Sequence, residues 1–431
     1  MKKKVVRLCM AAALTASMLS ACAAPSVNNA APAASEPAVE EKKEEVEAPA
    51  EVAESEEVPV IKFAFIGGET EQQAQEFALK GAEEKFGCKI EWVTYQSLPT
   101  MYQQLPTQIA VGTAPDIICG TNEQYIQFVK NGMFLDMAPY LTEEDFDFST
   151  VSAQHQCWVI DGGIYGIPQD GGPACFIINM DMWNAAGLGD LPKTWDEVAA
   201  AAEALTTDDV KGLCVNIDED FHATQYVLSY GGGWNFGETI NSEENQAGIQ
   251  YILDLYRKGY VITPAEAGLG WDGEVFTAGK CAMSTGGMWY VANNADAAPD
   301  MNYAIIPMPE GTTHGCTGHS DATNVLSSTK YPEICSKIAA YMAREEAQEK
   351  ISELYGNPPA NIELQKEFFE KNPELKDVQA AMEFAQPFGY PEESVKFADA
   401  LALNLQKAVY EDTSMTAEDV LANVEEAMKK E

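Results

Sequence analysis

Short apolar runs that read as strands alternate with amphipathic helical stretches from residue 59 onward. This alternation limits the fold more than any other feature of the chain, because it is the pattern of a mostly parallel sheet covered on both faces. "PVIKFAFIG" is a strand ending at Gly67 and Gly68. Thr70 can cap a helix whose apolar face carries Ala74, Phe77, Ala78, Ala82 and Phe86, with Gly87 as its stop. "KIEWVTY", a helix from about Thr100 to Val111, the buried strand "PDIIC" and a helix from Glu123 to Lys130 follow. The pattern changes near "YGIPQD", where two strands, "YGIPQ" and "CFIINM", come close together. Helices then dominate, among them "TWDEVAAAAEAL", which starts with a capping box of Thr194 and Glu197. "KCAMSTGG" and "NYAIIPMP" are later strands, and from Pro332 onward the period is helical.

A chain of 431 residues that is 46% hydrophobic has the material for two cores. The expected division is 58–167 with 302–326 as one lobe, and 168–301 with 327–431 as the other, so that repeated crossings form a hinge. A formal net charge of −40 excludes nucleic acid and anionic membrane surfaces as partners. At the N-terminus Lys2, Lys3, Lys4 and Arg7 precede an apolar run too short to span a membrane, which ends in "LSAC". This resembles the lipobox of bacterial lipoproteins, and it implies lipidation of Cys22 after removal of a signal peptide. Residues 23–57 read as an unfolded acidic tether, with ten Glu against two Lys between Glu36 and Glu57. The eight cysteines beyond the signal are widely spaced and lack any CxxC, and they read as small buried hydrophobes, although spacing leaves a disulfide open.

Catalytic signatures are sparse. His155 and His222 stand alone, His314 and His319 share a loop, and there is no HExxH. "GHSDA" lacks the second glycine of a nucleophile elbow, and "DEDFH" reads as a solvated turn rather than a metal loop. No cofactor or metal is expected. Polar and aromatic residues do gather beside glycines at strand ends: Glu69, Thr70, Asn122, Glu123, Asp170, Trp234 and Trp289, with Trp271 in a comparable loop. In open α/β sheets, ligands bind outside the carboxyl ends of strands. A flat aromatic there can stack on a sugar ring while carboxylates and amides bind hydroxyls. The competing reading for any single tryptophan is core packing, which comes first for Trp183 and Trp195 and equally fits Trp92 and Trp158.

"APDII" with "NGMFLDMAPYL", "IYGIPQDGGPACFIINMDMWNAAGL" with "LPKTWDEVAAAAEAL", "FTAGKCAMSTGGMW" and "GNPPA" occur in one order over roughly residues 60–430. In this the chain resembles the extracellular solute-binding lipoproteins of ABC importers, of the sugar-binding, maltose-binding-protein-like kind. The resemblance implies an α/β, two-lobe periplasmic-binding-protein type II fold with a hinge between lobes, and no catalysis. It implies that Trp289 stacks beneath a sugar, that Gly120 to Glu123 and Glu69 to Glu71 are polar ligand loops, and that Asp170 is an acidic sugar ligand. Gly120 stands where maltose binders carry a stacking tryptophan, and His319 stands where the family has small residues, so a glycan other than maltose is expected.

The expected function is capture of a carbohydrate by lobe closure and its delivery to an ABC permease driven by an ATPase. The protein is expected to be monomeric and held by a lipid anchor on the outer face of the cell membrane. Three rivals stay open: the same fold binding a cationic solute such as a polyamine, a surface glycosidase, and a sensory or adhesive lipoprotein.

Overall fold

The computed structural model describes residues 58–430. The expected signal segment, the lipidation at Cys22 and the tether lie outside the described residues.

Strands β1 (Val60–Ile66), β2 (Lys89–Tyr95), β3 (Ile117–Thr121) and β4 (Ile167–Asp170) build one sheet together with β10 (Asp321–Val325), in the order β2-β1-β3-β10-β4. β1 runs parallel to β2 and β3, whereas β10 runs antiparallel to β3 and β4. A second sheet joins β5 (Cys175–Asn179), β6 (Lys211–Cys214), β7 (Val261–Ile262), β8 (Cys281–Gly286) and β9 (Tyr303–Pro307), in the order β9-β5-β8-β6-β7. Central strands are buried on both faces and so read as unbroken apolar runs: Phe63, Ala64 and Phe65 in β1, Phe176, Ile177 and Ile178 in β5.

Each sheet has its own core. Ile61, Phe63 and Ile117 pack with Ile338, Met342 and Ile351 in the first lobe, and Phe176, Trp195, Tyr226 and Trp234 pack with Phe397, Leu401 and Val420 in the second. Two expected boundaries are therefore corrected. Strand Tyr303–Pro307 pairs antiparallel with β5 in the second sheet, so the chain re-enters the first lobe at Asp321 rather than at 302. The helices Pro332–Met342 and Glu345–Tyr355 cover the first sheet rather than the second, because Cys335, Ile338, Met342 and Ile351 complete the core under β1.

The expected helix starting at Thr70 is two helices, Glu69–Ala78 and Ala82–Phe86, broken where Gly81 adopts φ +86°. Thr70 does not cap it, since that position falls to Gly68. The capping box of the helix Trp195–Leu205 forms as expected: Thr194 Oγ1 accepts from the Glu197 amide at 3.3 Å and Glu197 accepts from the Thr194 amide at 3.2 Å. All eight cysteines among the described residues are free, six of them buried, which excludes a disulfide among them in this structure.

Candidate ligand-binding cleft

Three segments carry the chain between the lobes: Gly171–Ala174, Thr317–Ser320 and the stretch after Tyr355 through Ala360. They are hydrogen-bonded into one ribbon. Gly171 donates to Pro358 O at 3.0 Å, His319 to Gly172 O at 2.8 Å, Ala174 to Thr317 O at 2.9 Å and Ala360 to Gln169 O at 3.0 Å. A methyl group on Gly171 would stand 2.3 Å from the His319 carbonyl oxygen, and the residue holds φ +153°, so only glycine fits this crossing.

Two carboxyls meet on the ribbon. Asp170 and Asp321 pair across β4 and β10, and Asn357 donates to Asp170 at 2.7 Å and to Asp321 at 3.4 Å. Burial pushes Asp170 up to about 6, and burial next to Asp170 pushes Asp321 well above the usual carboxylate range. Two buried like charges cannot both ionise, so the pair shares a proton. Asn122 is also spent here: it donates to Gly318 O and accepts from the Ser320 amide, both at 3.0 Å. Its side chain thereby clamps two of the crossing segment's backbone groups.

Above the ribbon the strand ends face each other. Trp289 follows β8 and precedes the helix Tyr290–Ala297. It is half-buried and lies over Gly287, where a methyl group would come within 2.0 Å of the indole. Its ring centroid is 5.4 Å from Phe221 and 4.8 Å from His319, both edge-to-face. His319 also lies 5.2 Å from Phe221 and 5.0 Å from Phe388. The first lobe contributes Glu123, whose Oε1 is 3.8 Å from His319 Nδ1. That contact is not an ion pair. Burial pushes His319 down to about 3, leaving it neutral, and burial with Asp220 and Glu219 nearby raises Glu123 well above the usual carboxylate range. His319 is 5% exposed, and its Nε2 has no partner among the described residues.

Asp220 begins the helix Asp220–Ser229 that carries Phe221. Burial pushes it up to about 7 against the pull of the neighbouring backbone amides. Glu219 rises to about 7 through burial and the charge of Asp272. The cleft therefore brings an aromatic group (Phe221, Trp289, Phe388, Tyr390) against carboxyls that hold protons near neutral pH.

The remaining expected residues fall elsewhere. Trp234 is fully buried, donates to Thr224 Oγ1 at 2.8 Å and packs 5.0 Å from Phe397, so it is a core residue and not a cleft wall. Glycines beside it serve the turn, not a ligand. Trp271 leans edge-on against Tyr290 at 5.7 Å. Glu69 is exposed and accepts from Gln73 at 3.3 Å. Thr70 binds Asp296 instead, its amide at 3.0 Å and its hydroxyl also donating to that carboxylate, which ties a first-lobe helix to a second-lobe helix. Glu123, Asp170, Trp289 and His319 are the expected residues that line the ribbon and the box above it. Phe221, Glu219 and Asp220 were hidden in "DEDFH", taken for a turn. Phe388 and Tyr390 lie in "QPFGYP", whose proline and glycine signal a loop but not where that loop docks.

Residues 73–377 match the bacterial extracellular solute-binding protein family. The chain belongs to this family. It is 24% identical over 300 residues to the maltodextrin-binding protein of Bacillus subtilis, covering 64% of this chain and 68% of that one. It is 25% identical over 226 residues to the arabinooligosaccharide-binding protein of Halalkalibacterium halodurans, covering 48% and 50%. The fold superimposes with a TM-score of 0.75 on an ABC substrate-binding protein from Listeria monocytogenes in complex with cycloalternan, at 23% identity and covering 86% of this chain and 98% of that one.

Two further features of this solute-binding protein bear on its site. A cavity of about 1040 Å³ lies against the edge strand β9, lined by Met288, Tyr303, Ile305, Glu353 and Phe368, and it does not include Trp289 or Glu123. The cleft is identified by its chemistry and by the strand ends rather than by this cavity. Glu219, His222 and Asp272 bring possible metal-ligand atoms within 4.8 Å of one another. The protein already pairs them: His222 Nε2 is 3.0 Å from Asp272, its Nδ1 meets Thr285, and Tyr290 donates to Asp272 at 2.5 Å. Burial lowers the His222 pKa but the charge of Asp272 raises it overall, which makes the two a buried ion pair.

Proposed function

We propose that this solute-binding protein captures an oligosaccharide between its lobes and hands it to an ABC permease and its ATPase. The observation that carries the reading is Trp289, held at the end of β8 among the cleft's aromatic rings and beside His319, which Glu123 of the other lobe approaches at 3.8 Å. An apolar sugar face stacks on an indole, and carboxyl groups donate to or accept from its hydroxyls. The names of the maltodextrin- and arabinooligosaccharide-binding relatives support the substrate class. Closure follows from bridging: a ligand that touches both lobes stabilises the closed arrangement by its preference for it. The cleft binds without chemistry. Lipidation at Cys22 and a tether over 23–57 place the protein, as a monomer, on the outer face of the membrane, a reading supported by the "LSAC" sequence and the acidic composition.

A thermal-shift screen against neutral oligosaccharides tests this. A ligand at a hundred times its Kd adds about 2.7 kcal/mol and raises the melting point by several degrees. The shift is expected for one glycan series and is expected to vanish in Trp289→Ala. If that variant keeps the shift, the tryptophan is not part of the site. Release of shorter sugars from the bound glycan would instead make the protein a glycosidase.

A further inference from the structure

We propose that the captured glycan carries a primary ammonium, as an amino-substituted sugar unit does, and that Glu123 and Asp220 receive that group. The inference rests on the carbohydrate reading above and narrows it.

Glu123 of the first lobe is 3.8 Å from His319, which lies 5.2 Å from Phe221, the neighbour of Asp220 in the second lobe, and Asp220 is the charge that acts most strongly on Glu123. Among the described residues no Lys or Arg forms a salt bridge with them, and the imidazole of His222, 3.9 Å from Glu219, is shared with Asp272. Among the described residues, every salt bridge from Lys or Arg goes to another carboxylate. The imidazole beside Glu123 is held neutral, and His222 is engaged by Asp272. Asp220 is 6% exposed, yet its Oδ2 has no hydrogen-bond partner. A buried acceptor left open costs stability unless a ligand fills it. The aromatic rings of Phe221, Trp289 and Phe388 surround the His319 imidazole that Glu123 approaches. Electron-rich ring faces attract a cation as well as stack a sugar. A neutral glycan would leave Asp220 and Glu123 as acids, whereas an ammonium charges one of them and sends its proton to solvent.

Proton release gives the decisive measurement. Below neutrality, where Glu123 and Asp220 hold protons and an aliphatic amine is charged, each ammonium bound releases about one proton. The groups facing this exchange are Glu219, His222, Asp321, Tyr102 and Tyr390, whose titrations lie outside or are shared with the same window, and neutral His319. Titration calorimetry of the full protein near pH 6, in two buffers of different ionisation enthalpy, reads it directly. The probes are a glucosamine tetrasaccharide, its N-acetylated form and a glucose tetrasaccharide. The amino form is expected to bind at least about tenfold tighter than either neutral form and to release about one proton. In Glu123→Gln or Asp220→Asn, both isosteric and expected to melt where the parent does, the preference is expected to fall below about twofold. Equal or tighter binding of a neutral probe, without proton release, overturns the ammonium while leaving the carbohydrate reading intact. Binding of spermidine with silence from every glycan overturns both.

Discussion

Trp289 reaches the cleft because Gly287 leaves room beneath it, with a methyl group there falling 2.0 Å from the indole. Gly287→Ala is expected to displace the ring and weaken glycan binding at least tenfold, and also to lower the melting point, because Trp289 packs against the second lobe's core; calorimetry beside a melting curve checks both. The Asp170–Asp321 pair makes a pH prediction. Burial raises both groups in the folded state, so the folded protein binds more protons than the unfolded chain. Their contribution is fully present below the ordinary carboxylate pKa and is lost as pH rises through about 6 and beyond. Asp321→Asn, which keeps a donor toward Asp170, is expected to flatten that decline and to raise stability near pH 8 by on the order of 1–3 kcal/mol. Denaturant melts from pH 5 to pH 8 that fall in parallel for variant and parent would refute it. At this scale the sequence marked Glu123, Asp170 and Trp289, because strand ends beside glycine are where a sheet meets a ligand. The same rule chose Trp234, which the structure buries, because a glycine turn looks alike whether it faces a ligand or a core. Phe388 gave no signal, since its neighbours His319 and Phe221 lie far away in sequence.

Among the elements, the ribbon of three crossings governs how the lobes are joined. Gly171→Ala meets the His319 carbonyl at 2.3 Å and is expected to cost about 2–3 kcal/mol, read as a lowered midpoint in urea. A melting curve unchanged by that substitution would show that the crossing can shift. Local rules predicted the strands, the capping box of Thr194 and the helical tail, because period and capping are short-range. Sheet membership was less legible. Tyr303–Pro307 is apolar enough for either sheet, and its partner is β5, which lies more than a hundred residues earlier in the chain. The helices after Pro332 carry an apolar stripe that fits any sheet face.

Across the molecule, closing joins surfaces that no single lobe completes. The Thr70–Asp296 contact ties a helix of one lobe to a helix of the other at the cleft's rim. Asp296→Ala is expected to leave the melting point within about 1 kcal/mol equivalent, because the pair is exposed, yet to shift the free protein toward the open form. Small-angle scattering should then show a larger radius of gyration without ligand and convergence with the parent at saturation. No difference between the two would mean that the contact does not hold the lobes together. Two lobes and a hinge were legible from the sequence; where each lobe begins and ends was not, because the chain passes between them three times.

That threading also sets the order in which the molecule can be finished. β10 lies between β3 and β4, so the first sheet has a gap between those two strands until residues 321–325 have been made. The second core waits longer still, for Leu401 and Val420. A growing chain therefore emerges with neither lobe complete and with loop-closure entropy still to be overcome. For a protein destined for the far side of a membrane, late completion keeps the polypeptide threadable until nearly all of it has been synthesised.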